Sequence, residues 1–190
     1  MRREMQIGVL GGSFDPVHHG HLLAARALRE ILGLDEVRLI PAGAQPLKGG
    51  THEAPAADRA AMVELAVAGE PGLVADRREV ERAGPSYTVD TLQGLHRQYP
   101  AATLTLCLGS DAAREFPRWK DPEGIQRLAR VVVFHRAGEP APAAEMPTVA
   151  VPLVEISATQ VRARARAGQS IRFLVPDRVA DYIATHRLYQ

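Results

Sequence analysis

His18 and His21 stand three positions apart, directly behind the run Gly11-Gly12-Ser13-Phe14-Asp15-Pro16-Val17. If a helix has begun by that point, the spacing places both imidazoles on one face of its first turn. The two glycines give the backbone freedom to turn at the end of the apolar run Ile7-Gly8-Val9-Leu10. Asp15-Pro16 delays the helix, because a proline ring pushes the residue ahead of it towards extended backbone. A helix start exposes unpaired N–H groups and the positive end of a dipole. Joined to two imidazoles, that chemistry suits an anion, and phosphate above all.

Other chemistries compete for the same residues. A dinucleotide-binding fingerprint needs G-x-G-x-x-G here, but Gly8, Gly11 and Gly12 are out of that register. A Walker A loop needs a G-K-[ST] ending, which this stretch lacks. Zinc stays open on ligand type, although adjacent His18 and His19 point apart and no H-E-x-x-H pattern accompanies them. A plain helix cap or a surface position also stays open for the histidines.

Whatever the turn holds, regular elements must position it. Residues 6–10 read as a strand, and residues 22–32 carry Leu22, Leu23, Ala25, Leu28, Ile31 and Leu32 at helical spacing, ended by Gly33. Residues 36–41 read as a second strand stopped by Pro41. This β-α-β unit implies a parallel pair with a right-handed crossover. Residues 42–56 form a long aperiodic loop of the functional kind. Further on, the pattern predicts helix over 57–68, a short strand over 72–75, an irregular charged piece over 76–84 and helix over 88–99. Residues 103–108 are the clearest strand and lead into Gly109-Ser110-Asp111. Two short helical pieces follow at 116–119 and 122–129, then strands at 131–134 and 148–154 around a loop at 137–147. Helices at 157–167 and 176–186 close the chain. Strands alternating with helices predict an α/β fold with a doubly wound parallel sheet, in a single domain over 1–190. Such sheets bind ligands beyond the carboxyl ends of their strands, where the turn falls.

Composition narrows the partners. The chain has 190 residues, a net charge of +1 and 24% charged residues, unlike the strongly basic footprint of a general nucleic-acid binder. Cys107 is the single cysteine and lies in an apolar run, so it reads as a core residue and excludes an internal disulfide. No stretch approaches the about 18 apolar residues of a membrane span, and no leader is visible. The expectation is a cytoplasmic protein with small-molecule substrates, no nucleic acid and no membrane; a homo-oligomer is compatible with this reading.

Two longer patterns carry a family resemblance. Residues 12–21 resemble the G-x-F-D-P-x-H-x-G-H signature of the nucleotidyltransferase superfamily, with His18-His19-Gly20-His21 as its H-x-G-H core. Ile156-Ser157-Ala158-Thr159-Gln160-Val161-Arg162 resembles the second signature, I-S-x-T-x-x-R. The resemblance implies a Rossmann-like nucleotidyltransferase fold. Physically the second motif repeats the first: Ser157 and Thr159 can cap a helix start, and Arg162 offers a fork of donors to phosphate oxygens. An ordinary capped helix with a solvated face, continued by Arg164 and Arg166, is the plainer alternative.

Between these signatures, residues 85–92, Gly109-Ser110-Asp111 and Phe116-Pro117-Arg118-Trp119 resemble the bacterial nicotinic acid mononucleotide adenylyltransferases, and the likeness spans nearly the whole chain. It implies His18, His21 and Arg162 as catalytic residues. It also implies ATP contacts from Gly11, Gly12, Ser13, Phe14, Gly20, Ile156, Ser157 and Thr159, with Gly109 and Asp111 near the ribose. Trp119 would stack on the pyridine ring, while Tyr87 and Thr88 line a carboxylate pocket. An electron-poor ring suits an indole face, and a helix start at Thr88 suits a carboxylate. The family's Pro-His-Lys or Pro-His-Arg segment is here Pro46-Leu47-Lys48; Lys48 can meet a phosphate and Leu47 cannot. His52, His96, His135 and His186 have no motif context and read as structural or surface residues.

The expected reaction is adenylyl transfer from ATP to nicotinic acid mononucleotide in NAD biosynthesis. Mg²⁺ would travel with the ATP phosphates, without a protein metal site. The alternatives are a pantetheine-phosphate adenylyltransferase or cytidylyltransferase of the same superfamily, and a nucleotide-binding module without turnover.

Overall fold

The structure is a computed structural model that describes residues 3–44, 52–138, 146–152 and 154–190. Its strands are β1 (Gln6–Gly12), β2 (Glu36–Pro41), β3 (Leu73–Ala75), β4 (Thr103–Gly109), β5 (Arg130–Arg136) and β6 (Thr148–Val151). They form one sheet in the order β3-β2-β1-β4-β5-β6, with every neighbouring pair parallel. Its helices are α1 (His19–Ile31), α2 (Ala56–Val67), α3 (Thr88–Gln98), α4 (Ser110–Glu115), α5 (Pro122–Leu128), α6 (Ala158–Arg166) and α7 (Asp177–Thr185), with a 3-10 turn at Phe116–Arg118. This is the doubly wound architecture that the alternation of elements predicts.

Two cores result, one on each face of the sheet. On the first, Leu10, Leu39 and Cys107 meet Ala25 and Leu28 of α1, Met62 and Val63 of α2, Val161 of α6 and Ile183 of α7. On the second, Val9, Ile40, Leu106 and Val133 meet Leu92 and Leu95 of α3, Phe116 of the 3-10 turn and Ile125 of α5. Helices on both faces explain why residues 131–133 are apolar without alternation, since a parallel strand is buried on both sides. Each fully buried leucine contributes about 1.5–3 kcal/mol, so α1 is held chiefly by its inward stripe.

Most boundaries agree with the sequence pattern to within two or three residues. Two differences bear on function. Residues 110–115, for which the pattern predicts no helix, form α4, because β4 passes into a helix at Gly109 without an intervening connection. β1 also runs two residues further than expected and includes both Gly11 and Gly12. No helix among the described residues is long and apolar enough to cross a membrane.

Candidate active site

A cleft of about 800 Å³ opens beyond the carboxyl ends of β1 and β4, the neighbouring pair at which the strand order reverses. The topology puts a ligand site there, because helices leave the two strands on opposite faces and part above them. Of the residues the sequence singled out, the cleft gathers Gly11, Gly12, Ser13, Phe14, His18, Gly20 and His21 from the first motif and Ile156, Ser157 and Arg162 from the second. Gly109 and Asp111 line it from the end of β4 and the start of α4.

The turn after β1 is built differently from the sequence expectation. Neither Gly11 nor Gly12 has a positive φ; the residue that turns the chain is Phe14, at φ 48°. Gly12 is needed for room, because a Cβ there would stand 3.1 Å from the Phe14 ring. At Gly11 a Cβ would meet nothing within 4 Å, so its surface belongs to the cleft. Gly109 likewise has space, its Cβ position lying 3.5 Å from Phe134, an ordinary contact.

α1 begins where the histidines need it to begin. His18 is its N-cap in extended backbone, and His21 is the third residue of the helix. The two rings stack with centroids 3.7 Å apart, and Phe14 meets His21 edge-on at 5.0 Å. The His18 N–H donates to Nδ1 of His21 at 3.2 Å. Nδ1 as acceptor leaves Nε2 to carry the proton of the neutral ring. Nδ1 of His18 is buried with no hydrogen-bond partner among the described residues. Burial lowers the His18 pKa to about 4, assisted by Arg136 and His19. Burial, then the neighbouring His18, lowers that of His21 to about 3. Both rings are therefore neutral at pH 7 in the free chain. Gly20 lies close beside them: a Cβ there would stand 3.0 Å from the His18 ring, so a larger residue must push that ring aside.

The second motif reaches the same place from the far edge of the sheet. Ser157 caps α6, its Oγ accepting from the Gln160 N–H at 3.2 Å. Its neighbour Ile156 presents its carbonyl 3.6 Å from the Cβ position of Gly20, so the starts of α1 and α6 adjoin. Arg162 donates from Nε to Glu53 at 2.7 Å, from Nη1 to the Asp15 carbonyl at 2.8 Å and from Nη2 to Thr159 at 3.4 Å. Thr159 thus touches the site through Arg162 without lining the cleft. Arg166 pairs with the other oxygen of Glu53.

Tyr87, Thr88 and Trp119 lie apart from this cleft, with Tyr87 and Trp119 packed against the second core. Tyr87 caps α3, which starts at Thr88 as expected. Trp119 is half-buried beside Phe116 at 5.6 Å, and its neighbour Lys120 places Nζ 4.4 Å from the Tyr87 ring centroid. Lys120 also stands 3.4 Å from Asp90 in the first turn of α3. The tertiary structure therefore joins these two sequence-distant stretches, and Ser86 ties them to the end of β2 by accepting from the Gly43 N–H at 3.1 Å. Lys48 lies outside the described residues.

Several residues of the site escape sequence reasoning. Asp15 is buried and accepts from the Glu53 and Ala54 N–H groups and from the Tyr189 hydroxyl. Arg59 is buried beside it and donates to three carbonyls. His52, Arg114, His135 and Arg136 line the cleft with no motif to announce them. Asp15 belongs to the first motif, but nothing in the spacing of Arg59 or Tyr189 marks a partner for it.

Comparison with known proteins follows this geometry closely. A sequence profile of the cytidylyltransferase-like family matches residues 9–164, a span that contains both motifs. A Roseiflexus sp. protein named "Probable nicotinate-nucleotide adenylyltransferase" is 45% identical over 97% of this chain and 98% of its own length. A Thermus thermophilus protein of the same name is 44% identical over 98% of this chain and 100% of its own. Among solved structures, a Plasmodium falciparum nicotinic acid mononucleotide adenylyltransferase complexed with NaAD superposes with a TM-score of 0.79. At 18% identity over 98% of each chain, that likeness speaks for the fold.

Proposed function

This chain belongs to the cytidylyltransferase-like family, among the nicotinate-nucleotide adenylyltransferases, and from that premise we propose that it makes nicotinic acid adenine dinucleotide and pyrophosphate from ATP and nicotinic acid mononucleotide, a step of NAD biosynthesis. The observation that carries this reading is the meeting of two helix starts, with His18 and His21 on one and Arg162 on the other, over a single cleft.

A phosphate oxygen of the mononucleotide attacks the α-phosphorus of ATP in line. The new O–P bond forms as the bond from the α-phosphorus to the bridging oxygen breaks, and that oxygen leaves with pyrophosphate. Such transfers draw their rate from positioning and charge stabilisation. His21 offers an Nε2–H donor, and the rings together face the phosphate under attack. An anion beside them favours their charged forms, so each imidazole can take up a proton as charge gathers. Arg162 holds the triphosphate by its fork once it exchanges Glu53 for phosphate oxygens. Gly11, Gly12, Ser13, Phe14 and Gly20 shape one wall of the ATP site and Ile156 and Ser157 the other, with Thr159 acting through Arg162. Asp111 accepts from the ribose hydroxyls beside Gly109.

On the opposite face, Trp119 stacks on the pyridine ring while Tyr87 and the α3 start at Thr88 receive its carboxylate, with Lys120 adding positive charge. Lys48 meets a substrate phosphate. Mg²⁺ enters as part of the substrate MgATP, since this ion is usually held by substrate phosphates and few protein ligands. Residues 1–190 act as one domain, in the cytoplasm with their soluble substrates.

The test is pyrophosphate release from a substrate panel. ATP with nicotinic acid mononucleotide should be the preferred pair, ahead of ATP with nicotinamide mononucleotide. Preference for phosphopantetheine or for CTP refutes the substrate assignment, and tight ATP binding without pyrophosphate refutes turnover.

A further inference from the structure

Arg59, in the first turns of α2, is 1% exposed, and its hydrogen bonds run to main-chain carbonyls. Nη1 reaches Ser13 at 2.7 Å, Nη2 reaches Ala42 at 2.7 Å and Nε reaches Ala54 at 3.3 Å. These oxygens belong to three separate segments: the turn after β1, the exit from β2 and the approach to α2. Burying a guanidinium is costly, and breaking its contacts leaves an uncompensated charge. A planar fork of donors serves three acceptors at once, which an ammonium cannot do.

The arrangement has an electrostatic consequence at the turn. The Gly12 carbonyl accepts from the Ala42 N–H at 2.9 Å, that of Ser13 from Arg59 and that of Asp15 from Arg162 at 2.8 Å. Three main-chain oxygens of the turn are thereby engaged by protein donors. A carbonyl facing the cleft would repel an arriving polyphosphate.

We propose that Arg59 is a positioning residue for adenylyl transfer, withdrawing the Ser13 carbonyl from the path of the triphosphate and locking the turn after β1 to the end of β2, so that the ATP site is formed before ATP arrives. The inference rests on the reading of the cleft as the ATP site. The link from Arg59 to the stretch that carries Tyr87 and Thr88 is indirect, through the Ala42–Gly43 peptide whose N–H donates to Ser86, so the mononucleotide site is predicted to respond far less than the ATP site.

Arg59→Lys keeps the charge and Arg59→Met keeps the bulk. Calorimetry with a non-hydrolysable ATP analogue should show affinity reduced roughly tenfold to a hundredfold in both, the scale set by small misplacements of positioned groups. At saturating ATP, the KM for nicotinic acid mononucleotide should stay within about threefold of wild type, the mark of selective rather than global loosening. A folded variant that binds the analogue within about twofold of wild type overturns the proposal, as does equal loss for both substrates. If neither variant folds, wild-type protein labelled with ¹³C at the Ser13 carbonyl decides the question. Its hydrogen-bonded shift should persist when the analogue saturates the site; loss of that bond overturns the proposal. Wild-type protein that binds the analogue yet releases no pyrophosphate would refute the proposed reaction while leaving these tests of Arg59 intact.

Discussion

Acid should remove the stability that the stacked imidazoles of His18 and His21 lend the fold. Their pKa values are lowered from 6.5 to about 4 and about 3, so the folded chain keeps both rings neutral where an unfolded chain protonates them. The unfolded state then binds more protons below about pH 6.5, and stability falls as the pH drops from there towards the folded values. At pH 5 the loss is about 2 kcal/mol for each ring, or about 4 kcal/mol for the pair, at roughly 1.4 kcal/mol per pH unit below the unfolded pKa. At about 2–4 °C per kcal/mol for a chain of this size, Tm should fall by about 8–16 °C between pH 7.5 and pH 5 on this account alone. Circular dichroism melts of wild type and of the double variant His18→Asn, His21→Asn isolate the effect. The variant has no ring to titrate at either position, while its carboxylates respond as they do in wild type. A saturating ATP analogue should shrink the acid loss in wild type, because phosphate beside the rings favours imidazolium. Parallel Tm curves for wild type and variant would refute the reasoning, since the rings would then charge as readily inside the fold as outside it.

Three further outcomes are expected. His18→Ala or His21→Ala should lower kcat by about 10²-fold or more in pyrophosphate release with the fold intact by circular dichroism, as for one lost preorganised donor, and near-normal turnover would remove these residues from the mechanism. Trp119→Ala should raise the KM for nicotinic acid mononucleotide by about 5- to 100-fold, the range of a lost aromatic stack, while the KM for ATP holds; a change confined to ATP contradicts the placement of the pyridine ring. Tyr189→Phe removes the hydroxyl that donates to Asp15 at 2.7 Å and should cost about 1.5–3 kcal/mol in urea unfolding, as for a hydrogen bond to a charged group. An unchanged urea midpoint would show that Asp15 does not depend on it.

The main contacts of the two motifs were legible because they are local. His18 to His21 is one helical turn, so spacing alone brings the imidazoles together once α1 starts at His19. Ser157 caps α6 for the same reason. The roles of the glycines were less legible: the pair Gly11-Gly12 suggested a bend, whereas the positive φ falls at Phe14 and a Cβ at Gly12 would crowd its ring. α4 was hidden because its six residues carry too little periodicity to stand out from a strand exit. Nothing in the helical spacing of residues 57–68 marks Arg59; its burial follows from carbonyls that three other segments bring to it.

By itself, the sequence determined the strands and helices and the short motifs at their ends, because hydrophobic period, caps and short motifs act over a few residues. The tertiary structure decided how distant segments complete the site. It set the α6 start beside that of α1, put Lys120 over Tyr87, and brought Tyr189 to within 2.7 Å of Asp15, 174 positions away. Those contacts depend on strand order and on the packing of two cores, and a linear pattern carries no measure of either.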